Sequence, residues 1–486
     1  MMKNLTRRSF LQAGVAGLGA AALTKSAADE KESSSVRRPN VLYILCDQWR
    51  AQALSCYGDP NIQTTHIDAL THEGVRFTHC YSNSPVCSPY RAMLMSGRYP
   101  TRTGVYKNCV LLPEEEYCIA EAFGKAGYTT GYIGKWHLDG DGKPGFIAPG
   151  PRRQGWQRFV GHNRGHKYFN GVYFKDSPEP ITIPEGSFEP DHQTNMAMEW
   201  IAEYTQQDKP WFVMLSWGGP HTPYEAPQNY MDMFNPLSFT LRSNVDENVS
   251  RPDDVSKKHQ AKYYDKQNGL SATRANLQGY YAHAKNLDDN VGRLMKFLNE
   301  KGLSDNTLVI FTSDHGDMHH SQGYVFKSKP WEEAIGVPMI ARWPRGIPAK
   351  REVKALLAGI DIFPTLCGLC GVPIPEGKDG INYSHLFRDQ PGVQRESVFL
   401  SIGFPSLEMS KNGWRGVRTA RYTYAWKHET GKPWVLYDND NDPYQMHNLV
   451  TEPDSKALRN EMNDLLIDWL RKVEDPIAQE ITSKEL

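Results

Sequence analysis

Four short apolar runs, each passing at once into polar or ionisable residues, constrain this chain more than any other feature. Val41-Leu-Tyr-Ile-Leu-Cys46 leads into Asp47-Gln48, and Thr129 to Gly134 leads into Lys135-Trp136-His137. Trp211 to Ser216 leads, past Gly218-Gly219-Pro220, to His221, and Thr307 to Thr312 leads into Asp314-His315-Gly316-Asp317. Unbroken apolar runs of this length suit strands buried on both faces of a parallel sheet. Helical spacing lies between them. It is clearest in Tyr280 to Lys301, where Ala284, Leu287, Val291, Leu294 and Leu298 recur and Gly302 ends the pattern. Strands alternating with helices predict an α/β fold with a mainly parallel central sheet flanked by helices. Ligands bind outside the carboxyl ends of such strands, so one site can collect polar residues from all four.

At 486 residues the chain is long enough for two domains. Residues 39–388 are read as the larger, and 389–486 as a smaller C-terminal α+β domain built on an antiparallel sheet. Gly416 to Trp426 and Pro433 to Asp438 read as its strands, Asn439 to Pro443 as a turn, and Leu458 to Val473 as an amphipathic helix. Asn235 to Leu270 is a loop-rich insertion. The 55 basic and 56 acidic residues nearly cancel, so no overall field draws in nucleic acid or a membrane surface. Any preference for anions must be local.

Thr6-Arg7-Arg8-Ser9-Phe10-Leu11 is a twin-arginine pattern. A Gly/Ala-rich run to Leu23 follows, too short to span a bilayer, and then the small residues Ser26-Ala27-Ala28. Residues 1–28 therefore read as a signal peptide for the twin-arginine export machinery and 29–38 as a flexible leader. The expectation is a periplasmic or extracellular protein without stable membrane insertion. Eight cysteines would be free to pair after export. Cys367 and Cys370 lack a second ligand pair and sit in a helical pattern, so packing explains them better than zinc.

Asp47, Gln48, Asp314 and His315 fall at strand ends and offer carboxylate, amide and imidazole donors, which suit a divalent cation. Ser84 to Arg98, SPVCSPYRAMLMSGR, adds a thiol. Pro89 and the helix formers after it place Cys87 at or just before a helix N-terminus, where free N–H groups favour an anionic group. Arg91, one turn on, is placed to point back and fix the Cys87 side chain.

The string C-x-P-x-R followed by S-G-R resembles the signature of the type I sulfatases of the alkaline phosphatase superfamily, and the resemblance extends over roughly Pro39 to Leu449. It implies that a formylglycine-generating enzyme converts Cys87 to formylglycine, whose hydrate is the nucleophile. It also implies calcium (Ca2+) held by Asp47, Gln48, Cys87, Asp314 and His315. Many relatives carry Asp-Asp where this chain has Asp47-Gln48, and Asn where it has His315. These departures keep manganese (Mn2+) or another divalent ion in play. By the same resemblance Lys135 and Lys327 hold the sulfate oxygens, His137 contacts the formylglycine and His221 meets the ester oxygen. Where the family often has a histidine before the next glycine, this chain has Gln322, and no role passes to His319 or His320.

The expected activity is hydrolysis of a sulfate ester on a carbohydrate. Pro151 to Asn170 carries Arg152, Arg153, Arg158, Arg164 and Lys167, with His162 and His166 and no acidic residue, which suits subsites for a sulfated glycan. Gln48 and His315 also fit a phosphonate monoester or phosphodiester hydrolase on the same scaffold. A noncatalytic glycan-binding protein is the third alternative.

Overall fold

The computed structural model describes residues 38–247, 262–267, 269–404 and 413–482. The expected signal peptide, nearly all of the expected leader and the middle of the Asn235–Leu270 insertion lie outside the described residues. From Arg38 onward the chain packs as one unit.

Eight strands build the central sheet: β1 (Asn40–Asp47), β2 (Val75–Phe77), β3 (Thr129–Lys135), β4 (Arg158–His162), β5 (Trp211–Pro220), β6 (Thr307–Ser313), β7 (Met339–Arg342) and β8 (Arg351–Val353). Their order is β8-β2-β7-β6-β1-β5-β3-β4. The four strands read from the apolar runs are thus neighbours, β6-β1-β5-β3, and mutually parallel; β7 runs antiparallel to both β6 and β2. Leu45 is level with Thr312 on one side and Ser216 on the other, and Ser216 is level with Gly134. This register lines up the carboxyl ends of all four strands.

Alternate residues of β1 serve opposite layers, as the two-residue period of a strand requires. Val41, Tyr43 and Leu45 pack with α1 (Cys87–Ser96) and α4 (Ile362–Cys370), while Leu42, Ile44 and Cys46 pack with α2 (Glu189–Tyr204) and α3 (Ala272–Glu300). Helix α3 begins eight residues before Tyr280. Its first turns bury Ala272, Thr273 and Asn276, residues that show no apolar stripe. Cys367 and Cys370 are buried in α4, and all eight cysteines are free thiols.

The C-terminal part forms a separate antiparallel sheet of β9 (Ser397–Ile402), β10 (Trp414–Thr419), β11 (Tyr422–Lys427) and β12 (Lys432–Asp438), in that order. The single strand expected over Gly416 to Trp426 is broken into β10 and β11. Thr419 Oγ1 accepts from the N–H groups of Arg421 and Tyr422, which closes a tight turn there. Helix α5 (Lys456–Lys472) packs on this sheet through Met462, Leu466, Trp469 and Leu470, and the same core takes in Tyr81, Met93, Tyr99 and Trp331. The C-terminal sheet therefore shares its apolar core with segments close to the central site.

Candidate active site

Cys87 is the first residue of α1, with Val86 extended before it and Gly97, at φ 66°, ending the helix. Its thiol is 1% exposed and lies among ionisable groups from every neighbouring strand end. Sγ is 3.2 Å from Lys327 Nζ, 3.3 Å from His315 Nε2, 3.5 Å from Lys135 Nζ and 3.7 Å from Asp47 Oδ1. Burial and the Asp47 carboxylate oppose ionisation of this thiol, but Lys135, Lys327 and His315 together hold it well below the ordinary thiol range. The position is built to carry negative charge.

Two carboxylates face it. Burial works against charge on Asp47, yet Lys135, with His221, Lys327 and Arg91 behind it, keeps Asp47 well below the usual carboxylate range. Lys135 Nζ donates to Asp47 Oδ2. Asp314 moves the other way, raised by burial and then by Asp47. Arg91 does not fix Cys87, contrary to the sequence reading. Its Nε donates to Asp314 Oδ2 at 3.1 Å, and its Nη1 donates to Lys135 O and Ser216 Oγ, both at 2.8 Å. Its Nη2 lies 3.5 Å from Asp47 Oδ2. A planar fork between two buried carboxylates satisfies more donors than a single thiol does, which explains its direction.

The donor set fits a cation. Ligand atoms of Asp47, Cys87, Asp314 and His315 all lie within 4.8 Å of one another, and all four residues are buried. His315 Nδ1 is 3.0 Å from Gly316 O, so its N–H donates there and leaves the Nε2 lone pair facing inward. Nε2 then looks onto Asp314 Oδ1 at 3.4 Å and Asp47 Oδ1 at 3.5 Å. Electron pairs converging in this way call for a positive charge between them. The pull shows in His315 itself: against burial, Asp314 raises it above the ordinary imidazole value.

Gln48 joins this group through its main chain, its N–H donating to Asp314 Oδ1 at 3.1 Å. Its side chain bridges outward, with Nε2 donating to Asp317 Oδ2 at 2.6 Å and Oε1 accepting from Lys327 Nζ at 2.9 Å. His137 follows β3 with both ring nitrogens buried and the Cys87 side chain as its hydrogen-bonding neighbour; burial first, then Lys135, lowers it to about 4. His221 follows β5, its Nδ1 2.7 Å from Thr222 O; burial first, then Lys327, lowers it to about 3. Several residues here have the left-handed backbone that non-glycine residues seldom adopt: Gln48 at φ 70°, His137 at 59°, and Phe326 and Ser328, which flank Lys327, at 68° and 73°. Such backbone clusters where side-chain placement matters more than local comfort.

Asp317 stood at the end of its motif without a role. Asp317 is a hub that accepts from Gln48 Nε2, from Tyr224 Oη at 2.5 Å, and from the N–H groups of His319 and Phe326. It ties the β1 and β6 ends to the loop bearing Lys327. The basic segment 151–170 divides. Arg152 pairs with Asp139, Arg153 with Asp176, and Arg158 with Glu203 while lying over Trp200. The Arg164 side chain donates to Asp141 O, with no carboxylate partner among the described residues, and Lys167 is exposed. Gln322 donates to Tyr444 O and Gln445 O, pinning the C-terminal part rather than the site.

Within this site three basic side chains, Arg91, Lys135 and Lys327, face two carboxylates around a buried nucleophile position. That excess of positive charge, beside a cation-shaped donor set at the strand ends of an α/β sheet, defines a hydrolase of anionic esters. Comparison with known proteins narrows the class. Residues 39–372 match the Sulfatase family and residues 321–472 the C-terminal region of N-sulphoglucosamine sulphohydrolase. The chain is 37% identical over 449 residues to an ulvan-active sulfatase of Formosa agariphila, covering 90% of this chain and 82% of that protein. It is 29% identical to an endo-4-O-sulfatase of Bacteroides thetaiotaomicron, covering 92% and 95%. A crystal structure described as a sulfatase, from Bacteroides fragilis, superposes with a TM-score of 0.78 at 31% identity, covering 91% and 98%. The phosphonate monoester hydrolase of Agrobacterium radiobacter, at 23% identity and a TM-score of 0.72, shares the fold. This chain belongs to the sulfatase family and is a sulfuric ester hydrolase.

Proposed function

We propose that this enzyme removes sulfate from a sulfated poly- or oligosaccharide, with formylglycine made from Cys87 by a formylglycine-generating enzyme as its nucleophile. The observation that carries the proposal is the position of Sγ, within 3.2–3.5 Å of Lys327, His315 and Lys135. An oxidised carbon there has the anion-binding ammonium groups and the cation donors on either side. The sulfated-carbohydrate substrate is supported by the relatives: one is ulvan-active, another is an endo-4-O-sulfatase and a third an N-acetylglucosamine-6-O-sulfatase.

Asp47, Asp314, His315 and the Cys87 position would hold the divalent cation, calcium by the family resemblance, with Gln48 fixing Asp314. When bound, such an ion offsets charge on the ester and acidifies a hydroxyl beside it. The remaining work falls to side chains. Lys135 and Lys327 grip the non-bridging sulfate oxygens and orient sulfur towards the Cys87 position. His221 keeps its Nδ1 proton on Thr222 O, which turns Nε2 to the ester. An arriving sulfate ester offsets the lysines that hold His221 neutral, so Nε2 can carry a proton and give it to the departing sugar oxygen. One hydroxyl of the formylglycine hydrate, its proton already shed, forms a bond to sulfur as the bond from sulfur to the sugar oxygen breaks. His137, neutral, then takes the proton from the second hydroxyl, and the C–O bond to sulfate breaks as the aldehyde re-forms. A thiol has no second hydroxyl, which is why the oxidised residue is needed. Residues 1–28 are proposed to direct export through the twin-arginine machinery to the periplasm or beyond.

The test is a panel of sulfated saccharides beside an aryl sulfate, a phosphate diester and a phosphonate monoester. The proposal expects the largest kcat/KM on a sulfated saccharide. A larger value on the phosphonate would move the assignment to the phosphonate hydrolases that share the fold.

A further inference from the structure

His166 lies on the loop after β4 and belongs to none of the residues assigned above, yet it touches two of them. Its ring stacks on that of His221, with centroids 3.7 Å apart and planes 8° from parallel. Its Nε2 is 3.3 Å from Lys135 Nζ, and its Nδ1 is 3.4 Å from Tyr168 Oη. An ammonium group only donates, so Nε2 must accept from Lys135, which places the ring proton on Nδ1, facing the Tyr168 oxygen. Tyr168, fully buried, shares its single proton between the carbonyl oxygens of Gly218 and His221, each at 2.7 Å, which leaves its oxygen to accept from His166.

The consequences differ for the two partners. The three N–H groups of Lys135 face three acceptors, Asp47 Oδ2, Cys87 Sγ and His166 Nε2, and the one turned to Sγ is the donor that a sulfate oxygen seated beside the Cys87 position takes over. Two of these lie on the cation side of the site, and His166 is the acceptor on the side of His221. Without it the ammonium would settle towards Asp47 and away from the ester. His221 is held by its ring through His166 and by its main chain through Tyr168, so the same pair fixes the direction of its Nε2.

We propose that His166, backed by Tyr168, is a positioning residue that aims Lys135 at the sulfate and His221 at the leaving oxygen through two separable contacts, an accepted hydrogen bond and a ring stack. The inference rests on the sulfatase reading. Wild-type turnover tests that reading, while binding of inorganic sulfate reports the Lys135 contact with no turnover at all.

The experiment compares His166→Phe, which keeps the stack and loses the acceptor, with His166→Gln, which keeps an acceptor near the Nε2 position and loses the stack. Each is assayed for sulfate binding by calorimetry and for kcat on 4-nitrophenyl sulfate and on a sulfated sugar. His166→Phe should weaken sulfate binding and lower kcat on both esters, each about tenfold, the worth of one charge-assisted hydrogen bond. His166→Gln should bind sulfate within about twofold of wild type and lower kcat about tenfold on the sugar sulfate only, because nitrophenolate departs without a proton. Tyr168→Phe should share the sugar-selective loss. Unchanged sulfate affinity in His166→Phe, or equal losses on both esters in His166→Gln, overturns the proposal.

Discussion

Arg91 and Asp314 stand 223 positions apart and meet as a buried ion pair, Nε to Oδ2 at 3.1 Å. The same guanidinium lies beside Asp47, so one cation holds both carboxylates of the site. Removing one member of a buried pair leaves uncompensated charge, at a cost of about 3–5 kcal/mol. Arg91→Met should lose about that much stability by urea denaturation of metal-free protein. Arg91→Lys should fall between, since an ammonium cannot reach Asp314, Lys135 O and Ser216 together. An unchanged midpoint for Arg91→Met would mean that something other than Arg91 neutralises the carboxylates.

Metal dependence follows from the four converging donors. Exhaustive dialysis against EDTA should abolish turnover, and calcium or manganese should restore it. Mass spectrometry of the metal content should find about one divalent ion per chain in the wild type and none in Asp314→Ala. Full activity in a metal-free preparation would contradict the fit of these residues to a cation.

The buried histidines set the response to acid. Burial, before any neighbour, holds His137, His162 and His320 at about 4 and His283 at about 3. In the unfolded chain each takes up a proton near pH 6.5. Between about pH 4 and 6.5 the unfolded state therefore binds more protons, and stability climbs with pH by about 1.4 kcal/mol per unit for each histidine. Glu189 opposes this with one proton, because burial lifts its carboxyl to about 8 and the folded state keeps that proton while the unfolded one sheds it. His221, at about 3, adds a fifth histidine, and Asp314, raised by burial, sides with Glu189. Five histidines outweigh two carboxyls, so urea midpoints should rise steeply from pH 4.5 to 6.5. Above pH 6.5 the Glu189 contribution should make stability decline gently. A flat profile from pH 4.5 to 6.5 would show these imidazoles to be charged in the folded protein.

The basic segment narrows to two residues with no carboxylate partner among the described residues, Arg164 and Lys167. Replacing either with Met should raise KM for a sulfated oligosaccharide about three- to tenfold, the worth of one charged contact at a partly exposed rim, and leave KM for 4-nitrophenyl sulfate nearly unchanged. Equal effects on both would remove the segment from substrate binding.

Much of this was legible in the sequence because the strands at the centre of the sheet are buried on both faces and must be apolar without interruption. The residues that follow them were legible for the same reason: Asp47, Lys135, His221 and Asp314 stand where the apolar runs stop. What the chain could not show was pairing across it. Arg91 looked like a neighbour of Cys87, four residues away, until β1 and β6 came side by side and offered two carboxylates. Arg152, Arg153 and Arg158 looked like one basic stripe, but Asp139, Asp176 and Glu203 approach them from other segments. The start of α3 was hidden because its buried positions hold Ala, Thr and Asn. Nothing in the sequence marks Gln48 or Phe326 for a left-handed backbone, since the surrounding fold imposes it.

The account turns on the chemical state of Cys87. Peptide mass spectrometry of active enzyme, read beside kcat on a sulfated saccharide, tests it most directly. Activity should rise in proportion to the fraction of chains in which the CH2SH group of Cys87 has become an aldehyde, and Cys87→Ala should be folded and inactive. Full turnover from chains carrying the unmodified thiol, or from Cys87→Ala, would contradict it.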